Sequence, residues 1–322
     1  MPYGSVASAG HEAHDTGMIP IYLPIAEMSV AAELILMLGL GVGLISGLFG
    51  IGGGFLMMPM LLFMGIPPAI AVGSQANQLV AASVSGAAGY FRQRQLDLKL
   101  GGLMLVGGFV GTACGVVLFG WLQRLGQIDV VIALSYVVFL LAIGGLMLAE
   151  AVKAMIRTRK LGGRRAKLHK HTWLHGLPFK MRFPASRLYI SALLPLLIGF
   201  FNGVVVSVMG IGGGFLLIPL MIYVIGMPAA LVAGTSLFQI VFTTALATFL
   251  QAVLNNAVDV VLAMLLLIGS VVGAQIGARW AGKLKAETAR LLLGLIVLGV
   301  GGALAWDLVT PPEVPFTLEL EW

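Results

Sequence analysis

The residues best suited to chemistry in this 322-residue chain are glycines, and they come in two sets. Around Gly50 the sequence reads GIGGGFLMMP, and around Gly210 it reads GIGGGFLLIP. Gly50, Gly52, Gly53 and Gly54 form the first set, and Gly210, Gly212, Gly213 and Gly214 form the second. Without side chains in the way, several backbone N–H groups can converge on one point, and a half-helix starting just after them adds the positive end of its dipole. Such a cradle binds an anion without any cationic side chain. Its duplication, with Pro59 and Pro219 in register, favours a substrate site over a packing hinge.

Amide and hydroxyl side chains supply the next signal. Ser74, Gln75, Asn77 and Gln78 sit in one apolar stretch, and Thr235, Ser236 and Gln239 sit in its counterpart. Unpaired amides are costly in hydrocarbon, so these groups face a bundle interior or a pathway. Two readings stand for Asn77, Gln78 and Gln239, interhelical hydrogen bonding and substrate contact, and the register match of Gln78 with Gln239 tips that pair toward the site. Thr235 and Ser236 are expected to complete selectivity beside them, while Asn202 and Ser46 are weaker candidates.

Absent groups narrow the chemistry. From 34 to 91 and from 189 to 258 there is no Asp, Glu, Lys, Arg or His, which argues against an intramembrane proton relay or metal site. All five histidines, His11, His14, His169, His171 and His175, lie outside the apolar stretches, so an intramembrane serine protease would lack its base. Met57, Met58, Met60 and Met64 read as packing rather than copper ligands. Cys114 is the single cysteine and forms no intramolecular disulfide. The expectation is a non-enzyme with no catalytic residue, no cofactor and no metal.

The elements that must hold these groups are membrane helices. The chain is 59% hydrophobic and 10% charged, with a mean hydropathy of +1.02. A soluble domain carries roughly 25% charged residues, so a water-soluble enzyme, a disordered tail and a nucleic-acid-binding module are excluded. Apolar stretches run over about 31–49, 55–64, 69–91, 100–122 and 130–152, and again over about 188–209, 215–225, 229–250, 260–278 and 291–308. Eight of them reach or approach the roughly 20 residues that span a bilayer. The short second member of each series, bounded by Gly and Pro, reads as a half-helix or re-entrant piece. The repeat continues past the glycines: GIPPAIAVGS matches GMPAALVAGT, Asp97 answers Asp259, and Gly107, Gly111 and Gly115 answer Gly269, Gly273 and Gly277. Those spaced glycines read as close helix contacts.

Charge sets the expected orientation. Eleven of the 19 Lys and Arg residues fall between Lys153 and Arg187, as positive-inside bias produces for a cytoplasmic loop. The connection with Arg92, Arg94 and Lys99 is basic where its counterpart before Asp259 is not. Conversely, Arg279, Lys283, Lys285 and Arg290 answer a balanced connection at Arg124 and Asp129. Corresponding loops then lie on opposite sides, which means inverted repeats with both termini outside. The fold class expected is an all-α polytopic membrane protein of two inverted-topology repeats, about five hydrophobic segments each, with broken or re-entrant half-helices. Its parts are an extracytoplasmic segment 1–28, which has no basic n-region and so is not read as a signal peptide, a first repeat 29–152, a basic linker 153–187, a second repeat 188–308 and an acidic tail 309–322.

The doubled GIGGGFLMMP and GIGGGFLLIP blocks, with GIPPA, GMPAA and GTSLFQ from Gly234, resemble the TauE/SafE family of sulfite and organosulfonate exporters over about 19–308. That resemblance implies a bacterial cytoplasmic-membrane permease for small sulfur anions such as sulfite or sulfoacetate. The long basic linker, with HKHTWLHGLPFKMRF from His169, departs from the family's briefer junctions. The expected partners are the anion and membrane lipids, with a homo-oligomer compatible and nucleic acid excluded. Two alternatives stay open: an ion-coupled importer of a related anion, and a non-transporting scaffold or enzyme of sulfur metabolism.

Overall fold

The computed structural model describes residues 19–49, 54–161, 179–281 and 286–310. Gly50, Gly52 and Gly53, the linker histidines and the acidic tail lie outside the described residues. Helices dominate, as the hydropathy demands. Each half opens with an element the apolar pattern does not reveal, a β-hairpin of two four-residue strands. In the first half β1 (Pro20–Leu23) pairs antiparallel with β2 (Met28–Ala31), Pro20 opposite Ala31. Five helices follow: α1 (Ala32–Phe49), α2 (Gly54–Phe63), α3 (Pro68–Arg92), α4 (Leu98–Arg124) and α5 (Ile128–Leu161). The second half repeats the order. Its hairpin is β3 (Lys180–Phe183) with β4 (Leu188–Ser191), Lys180 opposite Ser191. Then come α6 (Leu193–Met209), α7 (Gly214–Pro219), a π-helical turn over Leu220–Ile225, α8 (Ala229–Asn255), α9 (Val260–Ala281) and α10 (Ala286–Val309).

Among the described residues, five helices are long and apolar enough to cross a membrane: α4, α5, α8, α9 and α10. Three of the eight stretches counted from sequence fall short of that mark, each for a visible reason. Helix α6 is seventeen residues, Leu193–Met209, because Leu188–Ser191 is a strand, and α1 is eighteen, Ala32–Phe49, of which Ala32–Leu48 is the apolar run described. Helix α3 has the length but is diluted by Ser74, Gln75, Asn77 and Gln78. The half-helices appear as expected, with α2 over ten residues and α7 over six before the π-turn.

Packing exchanges elements between the halves. The most extensive contacts pair α1 with α9, α4 with α6, α5 with α10 and α3 with α8. In repeat terms, the first long helix of each half lies on the fourth helix of the other, and the third and fifth helices lie on their own counterparts. Glycine makes the first of these contacts possible. A Cβ on Gly111 of α4 would overlap the backbone carbonyl of Phe200 on α6, and one on Gly273 of α9 would overlap that of Leu40 on α1. Inside lipid no hydrophobic drive holds helices together, so close van der Waals approach of backbones has to supply the attraction.

Two buried aspartates bind the exchange. Asp97 caps α4, its Oδ1 accepting from the N–H groups of Lys99 (3.2 Å) and Leu100 (3.1 Å). Its Oδ2 accepts from the N–H and the hydroxyl of Ser186 in the tip of the second hairpin, and its own N–H donates to Thr235 Oγ1 on α8 at 3.1 Å. Asp259 repeats the pattern on α9. It accepts from Val261 (3.0 Å) and Leu262 (3.1 Å) and, through Oδ2, from Ile25 N–H in the first hairpin (2.9 Å), while its N–H donates to Ser74 Oγ on α3 at 2.8 Å. A carboxylate held by three or four donors recovers the hydrogen bonds it lost to water on burial.

Two outcomes test this architecture. Gly111→Ala should lower the thermal unfolding midpoint of the detergent-purified protein by the equivalent of about 1–3 kcal/mol, the usual cost of overpacking. Gly102→Ala, where an added Cβ meets nothing within 4 Å, should leave it unchanged or slightly raised. Asp97→Ala should cost about 2–4 kcal/mol, because a helix cap and a cross-half anchor vanish together.

Candidate functional site

Of the first glycine set Gly54 is described, and it lies against the second set. Helix α6 ends at Gly210, whose φ of 69° is left-handed and whose N–H still donates to Val206 O at 2.8 Å. Gly212 and Gly213 follow with φ of 76° and 72°, a conformation that side-chain-bearing residues rarely adopt. The chain then enters α7, with Gly213 O accepting from Leu216 (3.1 Å) and Leu217 (2.8 Å). The stretch 210–215 is buried throughout. Yet the N–H groups of Gly212, Gly213 and Gly214 donate to no backbone carbonyl among the described residues. Buried free donors at the start of a helical piece form a concavity suited to negative charge.

The first set contributes Gly54, which opens α2. A Cβ there would lie 2.9 Å from Ile211 O and 2.9 Å from both terminal methyls of Leu79, and Leu79 also presses on Gly212. Immediately beyond, Phe55 stacks on Phe215 with centroids 4.6 Å apart and planes 11° from parallel. Phe139 of α5 meets Phe215 edge-on at 6.0 Å. These rings close one side of the junction with apolar surface.

A polar shell holds the loop from the other sides. Tyr136 of α5, fully buried, donates through its hydroxyl to Met209 O at 2.6 Å. Gln75 of α3 donates through Nε2 to Gly210 O at 2.8 Å and to Tyr136 Oη at 3.4 Å. The last carbonyls of a helix have no partner inside it, and here two other helices supply one. Asn202 of α6 is fully buried against Gly213, where a Cβ would overlap its amide, and neither Oδ1 nor Nδ2 has a hydrogen-bond partner.

The polar candidates from sequence divide into two groups. Gln78 is 3% exposed with Oε1 unpartnered, and Gln239 donates to Met104 O at 3.4 Å while its Oε1 is unpartnered. Thr235 spends its hydroxyl on Leu231 O (2.8 Å) and on accepting from Asp97, and Ser236 donates to Ala233 O at 3.0 Å. Asn77 is half-buried on α3. Gly54, Gly210, Gly212, Gly213 and Gly214 are gathered in one place. Among the described residues there is no group of three or more His, Cys, Asp or Glu able to hold a metal. Sequence reasoning passed over Tyr136, whose signal was a lone phenol in an apolar stretch, and ranked Asn202 as a weaker candidate. Two apolar surface grooves lie elsewhere, the larger about 510 Å³ beside Cys114 and Trp121.

Known proteins resemble the chain over most of its length. The family model described as Sulfite exporter TauE/SafE matches residues 35–304. The chain is similar to a probable membrane transporter protein of Xylella fastidiosa (strain 9a5c), 31% identical over 288 residues that cover 85% of this chain and 95% of the relative. It is also similar to the probable membrane transporter protein YjnA of Bacillus subtilis (strain 168), 29% identical over 270 residues, 83% of this chain and 97% of the relative. No solved structure matches the chain at a significant level.

The polar shell makes a stability prediction of its own. Tyr136→Phe leaves Met209 O buried without its donor and should cost about 1–3 kcal/mol, read as a lower thermal unfolding midpoint. An unchanged midpoint would mean that the carbonyl finds another partner.

Proposed function

We propose a function from one premise: the chain belongs to the sulfite exporter TauE/SafE family. It is a multi-pass membrane transporter. Within that class, our reading is export of small sulfur-containing anions, sulfite, sulfoacetate or a related organosulfonate, across the bacterial cytoplasmic membrane by alternating access. The observation that carries it is the buried Gly212–Gly214 stretch, with positive φ at Gly212 and Gly213, N–H groups that donate to no backbone carbonyl among the described residues, and no charged side chain on the elements that form it. A neutral cradle strips part of an anion's water without holding it as tightly as an Arg would, so the anion can leave again. In this reading Gly50, Gly52, Gly53 and Gly54 complete the cradle from the first half. Gln78, Gln239 and Asn77 line the path, while Thr235 and Ser236 support it through the helix they stiffen.

Inverted halves account for the contacts described above. Ser186 meets Asp97 at one end of α3 and α4, whereas Ile25 meets Asp259, and Asp259 meets Ser74 near the other end of α3. Helices α1 and α6 therefore start from opposite ends of a 25-residue helix, which supports an axis lying in the membrane plane. With the basic residues inside, the Asp97 end is cytoplasmic and the N-terminal hairpin lies outside. An inside-negative potential then favours anion exit by roughly 2.3 kcal/mol per charge per 100 mV, without a coupled ion.

Flux of a monoanionic substrate from proteoliposomes should rise with an imposed inside-negative potential. Flux indifferent to that potential would sink the uncoupled mechanism. Gly213→Val should abolish flux while inserted protein remains, because the new side chain displaces Asn202 and strains a left-handed backbone. Wild-type flux in that variant would return the glycines to a packing role.

A further inference from the structure

The orphaned polar atoms around the glycine loop are not what a bare oxyanion would select. Gln75 and Gln239 each commit Nε2 to a backbone carbonyl, Gly210 O and Met104 O, so the free end of each amide is an oxygen that only accepts. Asn202 leaves both ends of its amide free, one donor and one acceptor, while wholly buried and pressed on Gly213. Helix α6 links these groups. A Cβ added to Gly108 would lie 3.0 Å from Gln239 Nε2 and 3.6 Å from Gly199 O, and Gly199 lies one turn before Asn202, whereas Gln75 donates to Gly210 O at the helix end. A fully deprotonated oxyanion offers acceptors alone. It would satisfy the free N–H groups and Asn202 Nδ2, yet leave Asn202 Oδ1 facing another acceptor, and a buried polar atom left unmatched weakens binding.

Accepting that this loop binds the anion, we propose that its occupant is a small monoanion carrying its own hydrogen-bond donor, with Asn202 as the residue that selects it. Anionic oxygens take the N–H groups of Gly212–Gly214 and Asn202 Nδ2, and an O–H or N–H of the same molecule donates to Asn202 Oδ1. The donor can be the acid proton of a hydrogen oxyanion or a hydroxyl on an organic sulfonate. Recognition of it is confined to the second half, because the repeat places Val42 where Asn202 would stand in the first. Valine at that position is buried and offers no polar atom.

Competition against labelled sulfite flux in proteoliposomes, at one mildly acidic pH, reads this out with two matched pairs of monoanions. Isethionate against ethanesulfonate differs by a hydroxyl on the carbon chain, and hydrogensulfite against methanesulfinate differs by an acid O–H in place of methyl. The donor-bearing member of at least one pair should compete tenfold or more better in the wild type, and which pair discriminates identifies the source of the donor. A site built to pair a substrate hydroxyl rejects the analogue that lacks it. In Asn202→Ala and Asn202→Leu the ratio should fall to near one. Asn202→Ser, which keeps a donor and an acceptor in a smaller volume, should hold an intermediate ratio and covers the case in which the other two fail to fold. Equal competition within both pairs, no competition by any probe, or an unchanged ratio in these variants overturns the proposal. Wild-type protein that moves no anion at all overturns the transport reading instead.

Discussion

A backbone N–H or carbonyl that leaves its helix inside a bilayer has no water to turn to, and the organisation of this bundle follows from where that is allowed. It happens around Gly210, where α6 stops and α7 begins. The carbonyls of Ser207, Met209 and Gly210 at the end of α6 are each paired from another helix, by Gln251, Tyr136 and Gln75. The N–H groups just beyond donate to no backbone carbonyl among the described residues. Carbonyls capped and donors free is an arrangement with a sign, because what is left over attracts negative charge.

Holding that junction in place requires the two halves to be interleaved rather than merely adjacent. The aspartate caps show how. Asp97 belongs to the first half, yet both its hairpin partner Ser186 and its hydroxyl partner Thr235 belong to the second, and Asp259 reverses the assignment. The glycine seams of α4 with α6 and α1 with α9 do the same through backbone contact. Neither half can move as a body without its first long helix sliding along the other half's fourth. Such a seam suits a bistable transporter, since small residues permit sliding where interlocked large ones would not.

Much of this was legible in the residues. Hydropathy gave away the helices, the duplicated glycines and prolines exposed the half-helices α2 and α7, and the matched Asp97 and Asp259 were visible as a pair without a role. Hairpins escaped because four-residue strands such as Pro20–Leu23 and Lys180–Phe183 have no periodicity long enough to separate from a helix start. Thr235 and Ser236 looked like pathway residues from composition. In the fold one hydroxyl serves Asp97 and its own helix, and the other its own helix. Asn202, a weaker candidate from sequence, is fully buried with both ends of its amide unpartnered.

The sequence by itself determined the solvent, the element type and the repeat, because each is a property of local composition: apolar length selects membrane helices, and Gly with Pro selects breaks. Tertiary structure alone decided which polar atoms were left over. Whether Gln75, Gln239 or Asn202 is satisfied depends on carbonyls that arrive from helices scores of residues away, and on a left-handed Gly213 that leaves the Asn202 amide room but no partner. Hydrogen-bond satisfaction is a matter of positions within a few ångströms, and no spacing along the chain encodes it.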